Sequence, residues 1–192
     1  MTTTLPSTRE RLLETAARLF FQHDYRAVGV DTLVAESGVG KMTLYRHFPS
    51  KDDLIVAYLK DSNDKFWAWF DEAISSADEP SSRLLAFFQS LEKLAMTPTC
   101  FGCPFLNAVV DFPEREHPAH VVALEHKQAV RARLAELAEA TGAREPVVLA
   151  DQLFLLMDGA FMAVRMYGTD SPALRVAQAA QVLIDAQTAG AE

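Results

Sequence analysis

The sequence predicts an all-α fold of about nine helices, and three features of the chain support that prediction. Apolar residues recur at helical spacing, as Leu13, Ala17 and Phe20 do near the N-terminus. Prolines stand near the predicted helix starts and glycines follow several of the ends, which is the usual asymmetry of helix termini. No run of alternating β-branched residues is convincing as a strand.

Capping residues and helix breakers set the predicted helix ends. Ser7 or Thr8 can cap the first helix, and Ser50 with Asp53 partly matches a capping box at the start of a long one. The turn 37–40, which contains two glycines, interrupts the chain between two short helices. The predicted helices cover residues 8–23, 31–36, 41–48, 50–76, 80–98, 104–112, 118–142, 146–168 and 171–189.

Charge is distributed unevenly along the 192 residues. The whole chain has a formal net charge of −8, which taken alone disfavours a nucleic-acid partner. Residues 1–60 hold eight Lys and Arg against seven Asp and Glu, a net of +1, whereas residues 61–192 are net −9. The acidity lies outside the first third of the chain, so a local basic surface there can still contact phosphates.

The apolar content and the first residues of the chain predict its cellular compartment. Hydrophobic residues make up 49% of the chain, which is enough for a sizeable core. The chain has no uninterrupted apolar run of the roughly 18 residues that a membrane span needs. The first residues, MTTTLPSTRERLLE, lack the basic start and apolar stretch of a secretion signal. We therefore expect a cytoplasmic protein whose two cysteines are thiols rather than a disulfide framework.

Two short helices joined by a glycine-containing turn, after a first stabilising helix, predict a helix-turn-helix. The second of them, residues 41–48, would enter the major groove of DNA. Lys41 and Thr43 supply basic and polar side chains at its start, while Leu44 and Phe48 are apolar anchors on its other face. The helix starts at Asp31 and Ser50 can also contact phosphates through their free backbone N–H groups. Further side chains that are candidates for phosphate contacts are Thr32, Tyr45, Arg46, His47 and Lys51.

Residues 34–48, VAESGVGKMTLYRHF, followed by Lys51 and Leu54, resemble the helix-turn-helix signature of the TetR family. The resemblance is strong over about residues 8–60 and rests on helix number and length beyond them. It implies a DNA-binding domain over residues 1–53 and a helical ligand-binding and dimerisation domain over residues 54–192. The side chains that it places on DNA are Lys41, Met42 and Thr43 towards bases and Tyr45, His47 and Lys51 towards phosphates.

Gly40 is one departure from that family pattern, because many relatives have a serine cap at the start of this helix. Glycine caps less well by a few tenths of a kcal/mol, which does not change the predicted fold. Residues 102–108, GCPFLNA, also resemble one subgroup of these regulators.

The second part of the chain is rich in aromatic residues, most of which we expect in an ordinary core. Helical domains can also form apolar cavities with a few polar groups that orient a ligand. Asn107 and Arg165 are the polar candidates, and the family resemblance adds Trp67 and Phe70. The complete set predicted to line such a cavity is Trp67, Phe70, Phe88, Leu91, Phe105, Asn107, Met157, Phe161 and Arg165.

Cys100 and Cys103 admit several interpretations. We expect inert or merely oxidisable thiols; a thiol switch, or a metal site completed by His117, His120 or His126, are the alternatives. The rival class of protein is an enzyme that uses Cys103 with His117 or His126 as nucleophile and base. The chain has no phosphate loop, H-E-x-x-H or G-x-S-x-G motif. We therefore expect no catalytic residue, no metal and no cofactor.

The last two predicted helices, 146–168 and 171–189, have broad apolar stripes. A surface helix of a monomer would not need so much apolar face, and in the TetR family these helices pair with their copies. The sequence therefore predicts a homodimeric, ligand-responsive repressor that binds a palindromic operator with half-sites about one DNA turn, or a multiple, apart. Its effector is expected to be small, mostly apolar and aromatic. Activation instead of repression stays open.

Overall fold

The structure of the protein, a computed structural model, describes residues 6–98 and 100–189. Within these residues it contains nine α-helices and no strand, which confirms the predicted all-α fold. Two 3₁₀ segments, Gly168–Asp170 and Pro172–Arg175, follow the eighth helix. The helices are α1 (Thr8–Gln22), α2 (Val30–Ser37), α3 (Lys41–His47), α4 (Lys51–Ser75), α5 (Pro80–Ala95), α6 (Pro104–Asp111), α7 (Pro118–Ala140), α8 (Pro146–Tyr167) and α9 (Val176–Thr188).

Serine caps begin both α1 and α4, but in different ways. At α1 the Glu10 N–H donates to Ser7 Oγ at 3.2 Å, and the Ser7 N–H donates to the Glu10 carboxylate at 2.7 Å. This reciprocal pair is a complete capping box. At α4 the Asp53 N–H donates to Ser50 Oγ at 3.0 Å, while the Ser50 hydroxyl donates to the Asp53 carboxylate at 2.7 Å. The aspartate therefore binds the cap's hydroxyl, which makes the predicted box only partial.

The turn between α2 and α3 depends on one glycine. Gly38 has a φ of 64°, in the left-handed region that other residues rarely adopt. Val39 beside it is buried, and Arg11 of α1 donates to the Ser37 carbonyl at 2.9 Å. The turn is thus fixed on α1, and it separates α2 from α3 as the sequence predicts.

The chain divides into two compact units. Within the described residues, the first unit is drawn from Met1–Asp64 and Pro104–Leu124, and the second from Lys65–Cys103 and Glu125–Glu192. In the first unit α1 packs against α2 and α3; in the second α9 packs against α5 and α8. Helix α4 contributes residues to both units.

The end of the chain differs from the prediction of one helix over residues 171–189. The structure has a 3₁₀ turn at Pro172–Arg175, and α9 begins only at Val176. The Ala173 N–H donates to Ser171 Oγ at 3.1 Å, and this local bond favours a tighter turn before the α-helix begins.

Helix α8 has the composition of a membrane span, because the stretch Pro146–Asp170 is long enough and contains an 18-residue window with a mean hydropathy of 1.8. Its carboxylates are paired, however: Asp151 binds Arg131 and Asp158 binds Lys127, both on α7. Seven residues of α8 are also buried within the second unit. These contacts place one face of α8 in the core of the second unit.

Candidate nucleic-acid interface

Helix α3 has one face in the core and one in solvent. Leu44 is fully buried, whereas Met42 is 85% exposed and Tyr45 is 39% exposed. Lys41 and Arg46 are exposed as well. A short helix that is anchored in this way, with basic and polar groups outward, has the form that enters a major groove.

An ion pair joins the start of α3 to the start of α2. Lys41 Nζ donates to the Asp31 carboxylate at 2.8 Å, and this hydrogen bond, together with the negative charge, raises the pKa of Lys41. Thr32, the next residue on α2, is exposed. The ion pair therefore sets two predicted DNA contacts close together, and a phosphate at Lys41 has to compete with Asp31.

Lys51, the first residue of α4, is half-buried. Its Nζ donates to the carbonyl of Arg26 at 3.3 Å. Burial lowers the pKa of Lys51, whereas the carboxylates of Asp52 and Asp111 act in the opposite direction. An ammonium group has three N–H donors, so the bond to Arg26 leaves capacity for a phosphate oxygen.

All the residues predicted to contact DNA belong to the first unit. Thr43, His47 and Lys51 among them are half-buried, and the others are exposed. They are Thr32 on α2, Lys41, Met42, Thr43, Tyr45, Arg46 and His47 on α3, and Lys51 on α4.

The second unit contains a cluster of aromatic rings around α4 and α5. Phe66 and Trp67 meet with ring centroids 5.5 Å apart, and Phe70 lies 4.6 Å from Phe87. Trp67 and Phe70, both predicted to line an effector cavity, are 5.5 Å apart. Phe88, a third member of that set, joins the cluster through Phe87 at 5.1 Å.

The other predicted ligand-binding residues are divided between the two units. Leu91, Met157 and Phe161 are buried in the second unit, and Arg165 there is half-buried. Phe105 and Asn107 lie on α6 in the first unit. The structure therefore brings seven of the nine predicted residues into one unit and places the remaining two in the other.

Asn107 holds an unusual polar group. Its Nδ2 atom is buried and has no hydrogen-bond partner. A buried donor without an acceptor costs about 1–3 kcal/mol. The site would recover that free energy if an acceptor atom were supplied from outside the chain.

His126, which the sequence offers as a metal ligand or as a base, is buried. It is 4% exposed, and burial, with the positive charge of Lys127, lowers its pKa to about 3. The residue is therefore neutral at neutral pH. Ala123 and Val130, also buried, stand three and four residues away, and this helical spacing is the sequence signal for a histidine on the core face.

The two cysteines are buried, free thiols. Burial raises the pKa of Cys100, against the opposing effect of the Gly102 N–H. Gly102 has a φ of 95°, and a Cβ there would lie 3.1 Å from the Phe161 carbonyl oxygen and 3.3 Å from Arg165 Cβ. Close packing of Gly102 against α8 and the raised pKa of Cys100 favour a structural thiol over a reactive one at Cys100. The described residues contain no group of three or more side chains that could hold a metal ion.

One face of α8 and α9 is apolar and exposed. Leu155, Met162 and Met166 of α8 are 69%, 38% and 67% exposed, and Val182 of α9 is 64% exposed. A groove of about 300 Å³ is lined by Leu155, Gly159 and Ala163 of α8 and by Ala173, Val176 and Ala179. These exposed apolar side chains lie on the two helices that the sequence predicts to form the dimer interface.

Two protein-family models match this chain. One, described as bacterial regulatory proteins of the tetR family, matches residues 12–58. The other, described as a tetracyclin repressor-like C-terminal domain, matches residues 80–180. The crystal structure of SCO4454, a TetR-family transcriptional regulator from Streptomyces coelicolor, is also similar, with 32% identity and a TM-score of 0.90. That match covers 94% of this chain and 96% of the other.

Curated relatives match mainly in part of the chain. The transcriptional activator FasR of Mycolicibacterium smegmatis is 33% identical over 88 residues, and the transcriptional repressor KstR2 of Mycobacterium tuberculosis is 31% identical over 84 residues. Each match covers 44% of this chain. The chain spans 40% and 42% of the length of these two relatives.

An anchored helix with exposed basic side chains, in the first of two helical units, is the arrangement expected of a DNA-binding transcriptional regulator. The C-terminal family model alone covers more than half of the chain, and the S. coelicolor regulator matches along nearly its whole length. The chain belongs to the tetR family of bacterial regulatory proteins.

Proposed function

We propose that the protein is a ligand-responsive repressor that binds a palindromic operator as a homodimer. The observation that carries this proposal is the outward face of α3, with Met42 and Tyr45 exposed above the buried Leu44. We assign DNA binding to residues 1–53, and ligand binding and dimerisation to residues 54–192. A repressor of genes works where the DNA is, so we place it in the cytoplasm.

The DNA contacts divide into two kinds. Lys41, Met42 and Thr43, in the first turn of α3, are assigned to base edges. The second kind positions the protein on the backbone without reading sequence. To that kind we assign Thr32, Tyr45, Arg46, His47 and Lys51.

The exposed apolar face of α8 and α9 supports the assignment of the dimer interface. Leu155 and Met166 are each more than 60% exposed, and burying such side chains contributes roughly 25 cal/mol per Å². A second copy of the same face is the occupant that we propose. A dimer formed in this way presents two α3 helices, which matches a palindromic operator.

The proposed effector is small, mostly apolar and aromatic. The aromatic cluster around Phe70 supports an apolar partner, and the partnerless Nδ2 of Asn107 supports one that carries a hydrogen-bond acceptor. Arg165, whose Nη1 is 3.4 Å from the Phe101 carbonyl oxygen, is the candidate partner of a single anionic or phenolic oxygen. The remaining candidates are Trp67, Phe88, Leu91, Phe105, Met157 and Phe161.

Release of the operator follows from thermodynamic linkage. The operator fits one separation of the two α3 helices. An effector that favours a different separation weakens operator binding, and DNA weakens effector binding by the same factor. Helix α4 is the proposed coupling element, because it begins at Lys51 and contributes residues to both units.

Sequencing of DNA duplexes retained by the purified protein from a random pool tests the DNA-binding proposal. We expect an inverted repeat to be enriched, and a reporter gene behind that repeat to be expressed less when the protein is present. Increased expression would show activation, and no enrichment over the input pool would reject operator binding.

Titration of the operator complex with panels of aromatic, polar and phosphorylated compounds tests the effector proposal. We expect release by aromatic compounds, with a change in the fluorescence of Trp67 and Trp69 on binding. Substitution of Asn107 by Leu should abolish the response while leaving DNA affinity without effector nearly unchanged. Release by phosphorylated compounds alone, or by an oxidant in a manner that Cys103→Ser abolishes, would reject the apolar effector.

A further inference from the structure

Tyr25 is a fully buried residue in the loop between α1 and α2. Its ring packs in an aromatic cluster with Phe20 at 5.3 Å, Tyr58 at 6.0 Å and Phe112 at 6.0 Å. Phe20 is in α1, Tyr58 in α4, and Phe112 directly follows α6. This one side chain therefore touches three segments of the first unit.

Two polar groups of Tyr25 bind α6. Its backbone N–H donates to Asp111 Oδ2 at 2.6 Å, and its hydroxyl donates to the Pro104 carbonyl at 2.9 Å. Pro104 and Asp111 are the first and last residues of α6. Seven steps of helix separate them by roughly 10 Å, so a single residue holds the helix at both ends.

Asp111 is also close to a predicted phosphate contact. The negative charges of Asp52 and Asp111 both raise the pKa of Lys51, although burial is the larger effect and lowers it. Lys51 in turn donates to the carbonyl of Arg26, the residue after Tyr25. These contacts join the α1–α2 loop to the end of α6 and to the start of α4.

The residues after α6 strengthen the same junction. The Arg26 guanidinium lies 5.4 Å from the Phe112 ring centroid, and its Nη2 lies 3.6 Å from a Glu114 carboxylate oxygen. His117 stacks on Phe112 with centroids 4.1 Å apart and planes at 5°. His117 Nε2 is 3.6 Å from the Asp52 carboxylate. The Arg26 contacts join the α6–α7 loop to the α1–α2 loop and the His117–Asp52 pair joins it to α4, whereas the ring stack lies within the α6–α7 loop.

We propose that Tyr25 and Asp111 are positioning residues for DNA binding, which hold the α1–α2 loop and Lys51 in place from α6. This proposal rests on the proposed function. The α1–α2 loop leads into α2, and Lys51 begins α4, so the junction fixes the two helix starts that flank α3. A displacement of α6 would move both starts, and with them the phosphate contacts on either side of the recognition helix.

A positioning role and a purely repulsive role of Asp111 predict opposite changes in DNA affinity when its side chain is removed. A carboxylate beside a phosphate-binding lysine repels DNA, so if Asp111 did nothing else, its removal would tighten binding. If Asp111 positions the loop, removal weakens binding despite the lost negative charge. Asp111→Asn keeps an acceptor for the Tyr25 N–H and removes the charge, whereas Asp111→Ala removes both.

The experiment measures affinity for a duplex that the wild-type protein has selected from a random pool. We expect Asp111→Ala and Tyr25→Phe each to weaken binding by about tenfold, which is the size expected for one lost hydrogen bond to a positioned group. Asp111→Asn should stay within about threefold of the wild type. Asp111→Ala should also reduce the slope of log affinity against log salt by about one, because Lys51 loses its place at a phosphate.

Val130→Ala is the matched stability control, because Val130 is fully buried in the second unit. It should lower the melting temperature and leave DNA affinity and salt slope unchanged. Wild-type or tighter binding by folded Asp111→Ala overturns the proposal, as does an Asp111→Asn variant that binds as weakly as Asp111→Ala. If Asp111→Ala does not fold, Tyr25→Phe decides alone, and unchanged affinity rejects the proposal. A wild-type protein that selects no duplex rejects the proposed function instead.

Discussion

The ring of His126 meets the ring of Phe66 edge to face, with centroids 4.8 Å apart and planes at 83°. His126 is 4% exposed, so a charge on its ring would be taken out of water. Burial is the main cause of its low pKa of about 3, and the neighbouring Lys127 adds to it. The second unit therefore contains a buried, neutral imidazole at neutral pH.

The stability of the protein should fall as the pH drops below about 6.5, because the unfolded chain then protonates His126 while the folded chain does not. The contribution of His126 is complete above pH 6.5 and is lost towards pH 3. At pH 5 the loss is about 2 kcal/mol. Denaturant unfolding at pH 7 and pH 5, at one protein concentration, measures it. His126→Phe is the control, since it keeps a ring but cannot titrate; an equal pH dependence in both proteins would contradict the prediction.

Gly38 and Gly40, two residues apart, should respond to the same substitution with opposite signs. Serine at Gly38 requires a φ of 64° and should destabilise the protein by about 1 kcal/mol. Gly40 has a φ of −61° and no side-chain cap, and a Cβ there meets no atom within 4 Å. Serine at Gly40 should cap α3 and stabilise the protein by about 0.5 kcal/mol. Thermal unfolding at fixed concentration measures both, and shifts in the same direction would show that the turn does not act as described.

The helix boundaries were predictable because they depend on local chemistry. Ser7 with Glu10, and the prolines that begin α5 to α8, act within one turn of the residue that carries the signal. The 3₁₀ turn before α9 was missed, because Pro172 reads equally well as the first residue of an α-helix. The backbone bond from the Leu174 N–H to the Ser171 carbonyl at 3.2 Å marks the tighter turn, and it is a feature of three-dimensional geometry.

Contacts between residues distant in sequence could not be predicted from a single chain. Tyr25 and Asp111 are 86 positions apart, and nothing in either local segment indicates that they meet. The outward face of α3 was predictable, since it follows from helical spacing around Leu44. The division of the predicted ligand-binding residues was not, because Phe105 and Asn107 belong to the first unit only through packing of α6.

Leu155→Glu should convert the proposed dimer into monomers. Leu155 is 69% exposed in the single chain, so a carboxylate there costs a monomer little, whereas burial in an apolar interface leaves it unpaired. Monomers lose the paired binding of two half-sites, and operator affinity should fall by about 100-fold or more. Sedimentation gives the oligomeric state. Val110→Glu, at a residue that is 71% exposed on α6, should remain dimeric; an intact Leu155→Glu dimer would place the interface elsewhere.

Phosphate and base contacts should differ in how substitutions change sequence preference. Lys51→Ala removes a donor that positions the backbone, so binding to all duplexes should weaken alike and the salt slope should fall by about one. Tyr45→Phe, at a residue that is 39% exposed on α3, should weaken binding by about threefold to tenfold, again without regard to sequence. Thr43→Val keeps the shape of the side chain but removes its hydroxyl, so it should change which bases are preferred at one position of each half-site. Affinities for the selected operator and for single-base variants of it, measured at several salt concentrations, separate these outcomes. A Thr43→Val variant that weakens binding to every duplex equally would show that Thr43 contacts the backbone rather than a base.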